Sequence, residues 1–204
     1  MTRIIAVVAT VVLLVGLAGI WFVSQNSGGD QFAQCRGGAI AGGAEIGGPF
    51  ELVNTDGDTV TDQDVFTEPS LVYFGYTFCP DACPFDMARN AEAVDLLAER
   101  GMSTTPVFIS IDPHRDTPEV VSDYVFYLHE RMIGLTGSEE QVAAVSKSYR
   151  TYYNAQDKSD PYYLVDHSTF TYLVMPEQGF VEFFRRDLSA ADMAERVSCF
   201  VENA

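Results

Sequence analysis

The first pattern along the chain is an unbroken apolar run: residues 4–23 carry no charge. A helix rising 1.5 Å per residue over about 20 residues reaches about 30 Å, the thickness of a bilayer's hydrocarbon core. The run therefore predicts a transmembrane helix. It exceeds the roughly 7–15 apolar residues of a cleavable signal, and its Val23-Ser24-Gln25 exit does not suit signal cleavage. We read it as an uncleaved anchor. Trp21 and Phe22 fall at its end, where ring side chains prefer the interface, and Arg3 is the only basic residue near either end before Arg36. That places residues 1–3 in the cytoplasm and exports the remainder.

Between residues 24 and 45 the apolar periodicity disappears and glycines come in pairs, at Gly28-Gly29, Gly37-Gly38 and Gly42-Gly43. This stretch predicts a flexible tether, leaving 46–204 as the folded domain. Within that domain, residues 51–60 alternate on either side of an Asp56-Gly57 turn, which predicts a β-hairpin. Residues 70–75 read as a buried strand. From Pro84, Met87, Ala91, Val94 and Ala98 recur at helical spacing up to a stop at Gly101. Residues 106–111 read as a second buried strand. Thr117-Pro118-Glu119 opens a helix to about His129, and Ser138 with Gln141 forms a capping box for another to about Tyr153. Strands over 169–175 and 180–184 flank a turn at Pro176-Glu-Gln-Gly179, and a last helix starts after Ser189. This order predicts an α/β fold, a central mixed sheet with helices on both faces, because crossover helices make neighbouring strands parallel.

Composition narrows the function. With 204 residues and 47% apolar content the chain can build its own core, which excludes collagen, a long coiled coil and a disulfide-packed miniprotein. Twelve Lys and Arg against 29 Asp and Glu give a net charge of -17. No basic footprint exists for phosphate, so nucleic acid is excluded as a partner. The chain has four cysteines. Cys35 and Cys199 lie far from any motif, and in the oxidising space outside the cytoplasm they are expected to pair.

Cys79 and Cys83 carry the sharpest chemical signal. In Phe78-Cys79-Pro80-Asp81-Ala82-Cys83-Pro84 two thiols lie four residues apart, after a strand and before a helix. Pro84 disfavours helical geometry at Cys83, so both sulfurs are expected on the turn that feeds the helix. Backbone N–H groups and the positive end of the helix dipole favour thiolates there, making both residues soft ligands or nucleophiles. Asp166-His167-Ser168 stands just before the later strand. In such sheets the carboxyl ends of parallel strands line the ligand crevice, where a loop histidine can approach the thiols. His114, in a polar loop, and His129, at a helix end, read as structural.

Three stretches in this order resemble one family. They are Tyr76-Thr-Phe-Cys79-Pro-Asp-Ala-Cys83-Pro84, then Ile109-Ser-Ile-Asp112-Pro-His-Arg-Asp116-Thr-Pro-Glu-Val120, then Leu164-Val-Asp-His167-Ser168. Together with the single anchor they resemble the Sco family, also called SenC or PrrC, over roughly residues 46–201. The resemblance implies a thioredoxin-like fold and a copper protein of cytochrome c oxidase assembly, with the metal bound by Cys79, Cys83 and His167. Donor chemistry agrees: two thiolates and an imidazole suit copper, and three donors are comfortable for Cu(I), with Cu(II) also open. Zinc is the rival metal, although a structural zinc site normally closes with four protein ligands. Asp166 is left between a weak oxygen ligand and an acceptor that orients His167.

The expected function is that of a copper chaperone on the inner membrane, single-pass, its domain on the periplasmic or intermembrane-space side. It would deliver copper to, or reduce the copper-site thiols of, cytochrome c oxidase subunit II as the binuclear copper A centre forms. A thiol reductant or thioredoxin-like protein is the second implied partner, because a Cys79–Cys83 disulfide has no thiolate to offer a metal. The alternatives are a thiol-disulfide oxidoreductase using Cys79 and Cys83 as its redox-active pair, and a redox or copper sensor built on the same atoms.

Overall fold

A computed structural model describes residues 13–19, 21, 31–36 and 46–204. The chain divides into two units, Met1–Gln34 and Cys35–Ala204. In the first unit residues 13–19 and 21 are helical and 31–34 form a turn. Most of the span expected over 4–23 lies outside the described residues, among which no helix is long and apolar enough to cross a membrane. The stretch expected as tether, 24–45, also lies largely outside them. Its described part is the turn through Cys35, and Cys35 is disulfide-bonded to Cys199 across a Cα–Cα distance of 5.5 Å, the pairing expected of an oxidising compartment.

The second unit opens with β1 (Glu51–Asn54), β2 (Thr59–Thr61), α1 (Asp62–Val65), β3 (Ser70–Gly75), α2 (Ala82–Glu99), β4 (Thr105–Ser110) and α3 (Pro118–Phe126). It continues with β5 (Ile133–Thr136), α4 (Glu139–Ser148), β6 (Tyr153–Ala155), β7 (Val165–His167), β8 (Thr171–Met175), β9 (Gly179–Phe184) and α5 (Ala190–Glu202). Seven strands form one sheet in the order β2-β1-β5-β4-β3-β8-β9, while β6 and β7 pair separately. The pairs β3–β4 and β4–β5 are parallel; β1–β2, β1–β5, β3–β8 and β8–β9 are antiparallel. The architecture is α/β with a mixed central sheet, as the element order predicted.

Local chemistry explains the element ends. Gly57 takes φ +86° in the β1–β2 turn, where Asn54 Oδ1 accepts from the N–H groups of Asp56 and Asp58. Thr117 caps α3 with Pro118 at its first position, Ser138 and Gln141 form the capping box of α4, and Ser189 caps α5. Every residue of β3 and β4 is buried. Successive side chains point to opposite faces, so both faces of the sheet centre are covered. The helices supply that cover: α2 packs on α5, α3 on β5 and α4 on β1.

Several elements depart from expectation. β5 is a short parallel strand in the α3–α4 connection, which carried no strand pattern. α3 ends at Phe126 and α4 at Ser148, earlier than expected. The α4 end is a left-handed turn at Arg150, φ 54°. There the N–H groups of Arg150 and Thr151 reach back to the carbonyls of Lys147 and Ser146, closing the helix without a glycine.

Topology then positions the site. β3 runs parallel to β4, and its carboxyl end feeds the Tyr76–Cys79 loop. β8 is antiparallel to β3 with Tyr73 opposite Thr171, so the amino end of β8 lies beside the carboxyl end of β3. His167, four residues before Thr171, is delivered to that same end of the sheet.

Candidate metal centre

The two cysteines do not share one environment. α2 starts at Ala82, two residues before the expected start, which puts Cys83 in its first turn and corrects the placement of both sulfurs on the preceding turn. Pro84 is the third helical residue. The N–H it lacks would have had no partner within the helix, so proline is tolerated there and the local bias at Cys83 is overcome. Asp81, the residue before the helix, makes no side-chain cap. Cys79 on the loop fills that role: its Sγ accepts the Cys83 N–H at 3.4 Å.

Cys79 is partly buried and Cys83 buried, and both are free thiols. Hydrogen bonding from the Cys83 thiol, opposed by burial but joined by His167 and backbone N–H groups, holds the Cys79 thiol well below its ordinary range. That same bond to Cys79, together with burial, pushes Cys83 up. The expectation that both cysteines would be activated is thus corrected: the more accessible sulfur is shifted toward the thiolate and the inner one away from it. Gly75 makes the inner position available, since a Cβ there would stand 2.8 Å from Cys83 Sγ and 2.9 Å from the Tyr73 ring.

His167 is not in a loop but ends β7, paired with Tyr153 of β6. Its Nε2 lies 3.5 Å from Cys83 Sγ and 3.9 Å from Cys79 Sγ. Its Nδ1 is 2.7 Å from the Ser168 carbonyl oxygen. A carbonyl only accepts, so Nδ1 donates its proton there, and Nε2 is the ring atom that faces the sulfurs, donating to the Cys79 thiolate when protonated and offering a lone pair when not. Tyr73 and Tyr76 stand edge-on to the imidazole, at centroid distances of 6.3 and 5.7 Å. The Tyr73 hydroxyl donates to Asp86 Oδ2 at 3.0 Å, beneath the site on α2.

The donor atoms of Cys79, Cys83 and His167 all lie within 4.8 Å of one another. The thiol pair and imidazole fit one soft ion. Asp166 is exposed, one position from His167 on a strand, so it faces the other way. The Ser168 carbonyl, rather than Asp166, orients the ring. His114 is exposed near Tyr163, and His129 pairs with Asp95 at 3.2 Å; neither joins the group.

Residues that sequence alone did not single out support the Cys79 loop. Asp116 accepts from Thr77 N at 3.0 Å, from Thr77 Oγ1 at 2.6 Å and from Ser110 Oγ at 2.6 Å. Burial raises its carboxyl while those donors oppose the shift. It ties the cysteine loop to the end of β4. The second motif held this residue, but nothing in its spacing indicated that its partner would be Thr77.

Comparison with known proteins agrees with this geometry. A family model described as SCO1/SenC matches residues 38–202. Protein SenC of Rhodobacter capsulatus is 51% identical over 202 residues, covering 98% of this chain and 90% of its own length. The crystal structure of Arabidopsis thaliana ScoI with copper bound superposes with a TM-score of 0.74 at 41% identity, over 78% of this chain and 99% of that one. Yeast Sco1 with copper bound gives a TM-score of 0.72 at 33% identity, over 79% and 91%. The mixed α/β architecture matches these thioredoxin-like structures. From sheet, motif and similarity alike, the chain belongs to the SCO1/SenC family.

Proposed function

We propose that this chain binds copper through Cys79, Cys83 and His167, and delivers it to cytochrome c oxidase subunit II as the binuclear copper A centre is assembled. The observation that carries this reading is the approach of His167 Nε2 to within 3.5 and 3.9 Å of two sulfurs that lie 84 and 88 residues away in sequence. Two thiolates and an imidazole are soft to intermediate donors suited to copper. Copper is present in the Arabidopsis and yeast relatives. Three donors leave room for an incoming thiol to join the metal before one of them leaves, so transfer proceeds through mixed-ligand states. Copper is here cargo.

In this reading residues 4–23 anchor the protein in the inner membrane with residues 1–3 cytoplasmic. Residues 24–45 are the tether, and 46–204 work on the periplasmic or intermembrane-space side. The Cys35–Cys199 disulfide supports an oxidising compartment.

A second reading is favoured by the inequality of the cysteines. Cys79 thiolate attacks one sulfur of a disulfide on the partner, the other sulfur leaves as a thiolate, and a mixed disulfide forms. Cys83 then loses its proton and attacks Cys79 Sγ, releasing the partner as a dithiol and leaving a Cys79–Cys83 disulfide. An external thiol reductant must restore the pair. One experiment separates the readings: the purified chain, copper-loaded or reduced and metal-free, is mixed with an isolated subunit II domain. Copper transfer from the loaded form to reduced domain supports delivery; dithiol formation from oxidised domain by the metal-free form supports reduction. Neither outcome would remove oxidase assembly as the function.

A further inference from the structure

Arg115 belongs to none of the donors, yet its side chain lies between the two segments that bring them together. It follows β4 in the Asp112–Asp116 loop. Its Nε donates to Asp112 Oδ2 at 2.6 Å and its Nη1 to the Pro161 carbonyl at 3.4 Å. The guanidinium carbon sits 3.6 Å from the centroid of the Tyr163 ring, 4.9 Å from Phe78 and 5.8 Å from Tyr76. Phe78 and Tyr76 belong to the loop that carries Cys79. Pro161 and Tyr163 belong to the β6–β7 connection, which leads through Val165 into His167. The Tyr163 hydroxyl donates to Asp112, the same carboxylate that holds Arg115.

One planar cation is therefore hydrogen-bonded in its plane to Asp112 and Pro161 while its faces meet aromatic rings from both segments. Lysine cannot reproduce this, because its ammonium is a point charge without a face to stack. Arg115 Nη2 is buried without a hydrogen-bond partner, a cost that ring stacking must offset. The ribbon that Arg115 touches is the part of the site least tied to the main sheet: β6 and β7 pair only with each other among the described strands.

We infer that Arg115 is a positioning residue that clamps the β6–β7 ribbon to the Cys79 loop, and so sets how firmly His167 closes on a metal held by the two cysteines. The inference rests on the ligand reading proposed above. Release of copper then requires the ribbon to lift, and the stack around Arg115 resists that motion.

The test uses the full chain loaded with Cu(I), and follows the rate of copper loss to excess bicinchoninate. It includes Arg115→Lys, Phe78→Ala, His167→Ala and the Arg115→Lys/His167→Ala double variant. Phe78 is partly exposed, so its removal thins the stack with little risk to folding. Arg115→Lys is expected to lose copper about tenfold faster, as for other residues that hold a ligand in place. Phe78→Ala should shift in the same direction, and Arg115→Lys should add nothing once His167 is gone. Metal-free Arg115→Lys should also show faster amide hydrogen exchange over residues 156–167 than the unaltered chain, with α2 and α5 unchanged.

Wild-type release from both Arg115→Lys and Phe78→Ala, with His167→Ala accelerated, overturns the clamp. An equal effect of Arg115→Lys with or without His167 also overturns it, since Arg115 would then act on the cysteines alone. If His167→Ala releases copper at the wild-type rate, the ligand reading fails. The clamp then stands or falls on hydrogen exchange, and unchanged exchange over 156–167 in the Arg115 variant rejects it.

Discussion

Gly75 and Cys83 approach so closely that a methyl group on the glycine would stand 2.8 Å from the cysteine sulfur. Gly75 ends β3 and Cys83 lies in the first turn of α2, so the missing side chain is the space into which the inner thiol fits. The same methyl group would meet the Tyr73 ring at 2.9 Å and Phe108 at 3.1 Å, both fully buried. None of these neighbours can withdraw without disturbing the sheet. Gly75→Ala is therefore expected to cost about 1–3 kcal/mol of stability, the usual range for overpacking a filled core. Urea unfolding measures that cost. A copper titration of the same variant should show weaker binding, because Cys83 is the atom displaced.

Asp116 offers a test of the loop rather than of the sulfurs. Its buried carboxylate accepts from the N–H and hydroxyl of Thr77 and from the Ser110 hydroxyl. Asp116→Ala strands these donors, and at about 1–3 kcal/mol for a buried group left unpaired the expected loss is about 3 kcal/mol. Asp116→Asn keeps one acceptor oxygen and should lose less. Chemical unfolding of both variants, read for this order, checks the assignment.

The pH dependence of thiol alkylation tests the inequality of the two cysteines. An ordinary thiol of pKa about 8.5 becomes about tenfold less reactive with each pH unit below that value, because only the thiolate attacks. Cys79 is shifted down, so its thiolate persists as the pH falls and its alkylation by iodoacetamide should stay nearly flat from pH 8 to pH 6. Cys83 is shifted up and buried, so it should remain unlabelled over that interval. Peptide mapping of the metal-free, reduced protein after brief exposure gives the result. Equal labelling of the two cysteines, falling together with pH, would contradict the asymmetry.

How far the sequence disclosed this arrangement depended on the range of the interactions. Helix starts depend on one side chain and its own backbone, and Thr117, Ser138 and Ser189 each cap the helix expected of them. Helix ends were harder. α4 stops at a left-handed Arg150, a residue type that gives no sign of that conformation. β5 was missed because Ile-Gly-Leu-Thr is short and its glycine suggests a break. Gly134 is there for packing, since a Cβ would stand 2.6 Å from Val121 Cγ1 on α3. At the site, the cysteine pair was visible as a local motif. His167 drew attention through its neighbours and the family resemblance, but its strand position depends on pairing with Tyr153. The polar β6–β7 segment offers no apolar alternation to announce that pairing. Arg115 was legible only as part of a motif, because its stack draws on rings from two other segments of the chain.

Asp166 separates a ligand from its neighbour in sequence. It is exposed and absent from the group of donor atoms. Asp166→Asn is expected to keep copper affinity within about twofold, whereas His167→Ala, which removes a donor, should weaken it by about 1.4 kcal/mol or more, a factor of ten. His114→Ala and His129→Ala should behave like Asp166→Asn. Competition titration against a Cu(I) chelator ranks the four variants, and a large loss in Asp166→Asn would mean that the β7 side chains turn when metal binds.

The Cys35–Cys199 disulfide allows stability to be changed without touching the donors. The bond spans a sequence separation of 164 residues and joins the segment ahead of β1 to α5. In the chain-entropy model a closure of that length contributes about 4–5 kcal/mol by restricting the unfolded chain, and less where the segment gains little order on folding. The double variant Cys35→Ser/Cys199→Ser should therefore unfold at lower denaturant, with a loss of about 2–5 kcal/mol. α5 packs on α2, the helix that carries Cys83, but the residues that α5 buries, Met193, Ala194, Val197 and Phe200 among them, are ones the substitution leaves in place. Copper stoichiometry and affinity should accordingly match the unaltered protein in dilute buffer. Loss of copper binding under conditions where the variant is still folded would show instead that the bond fixes α2, and through it the position of the inner thiol.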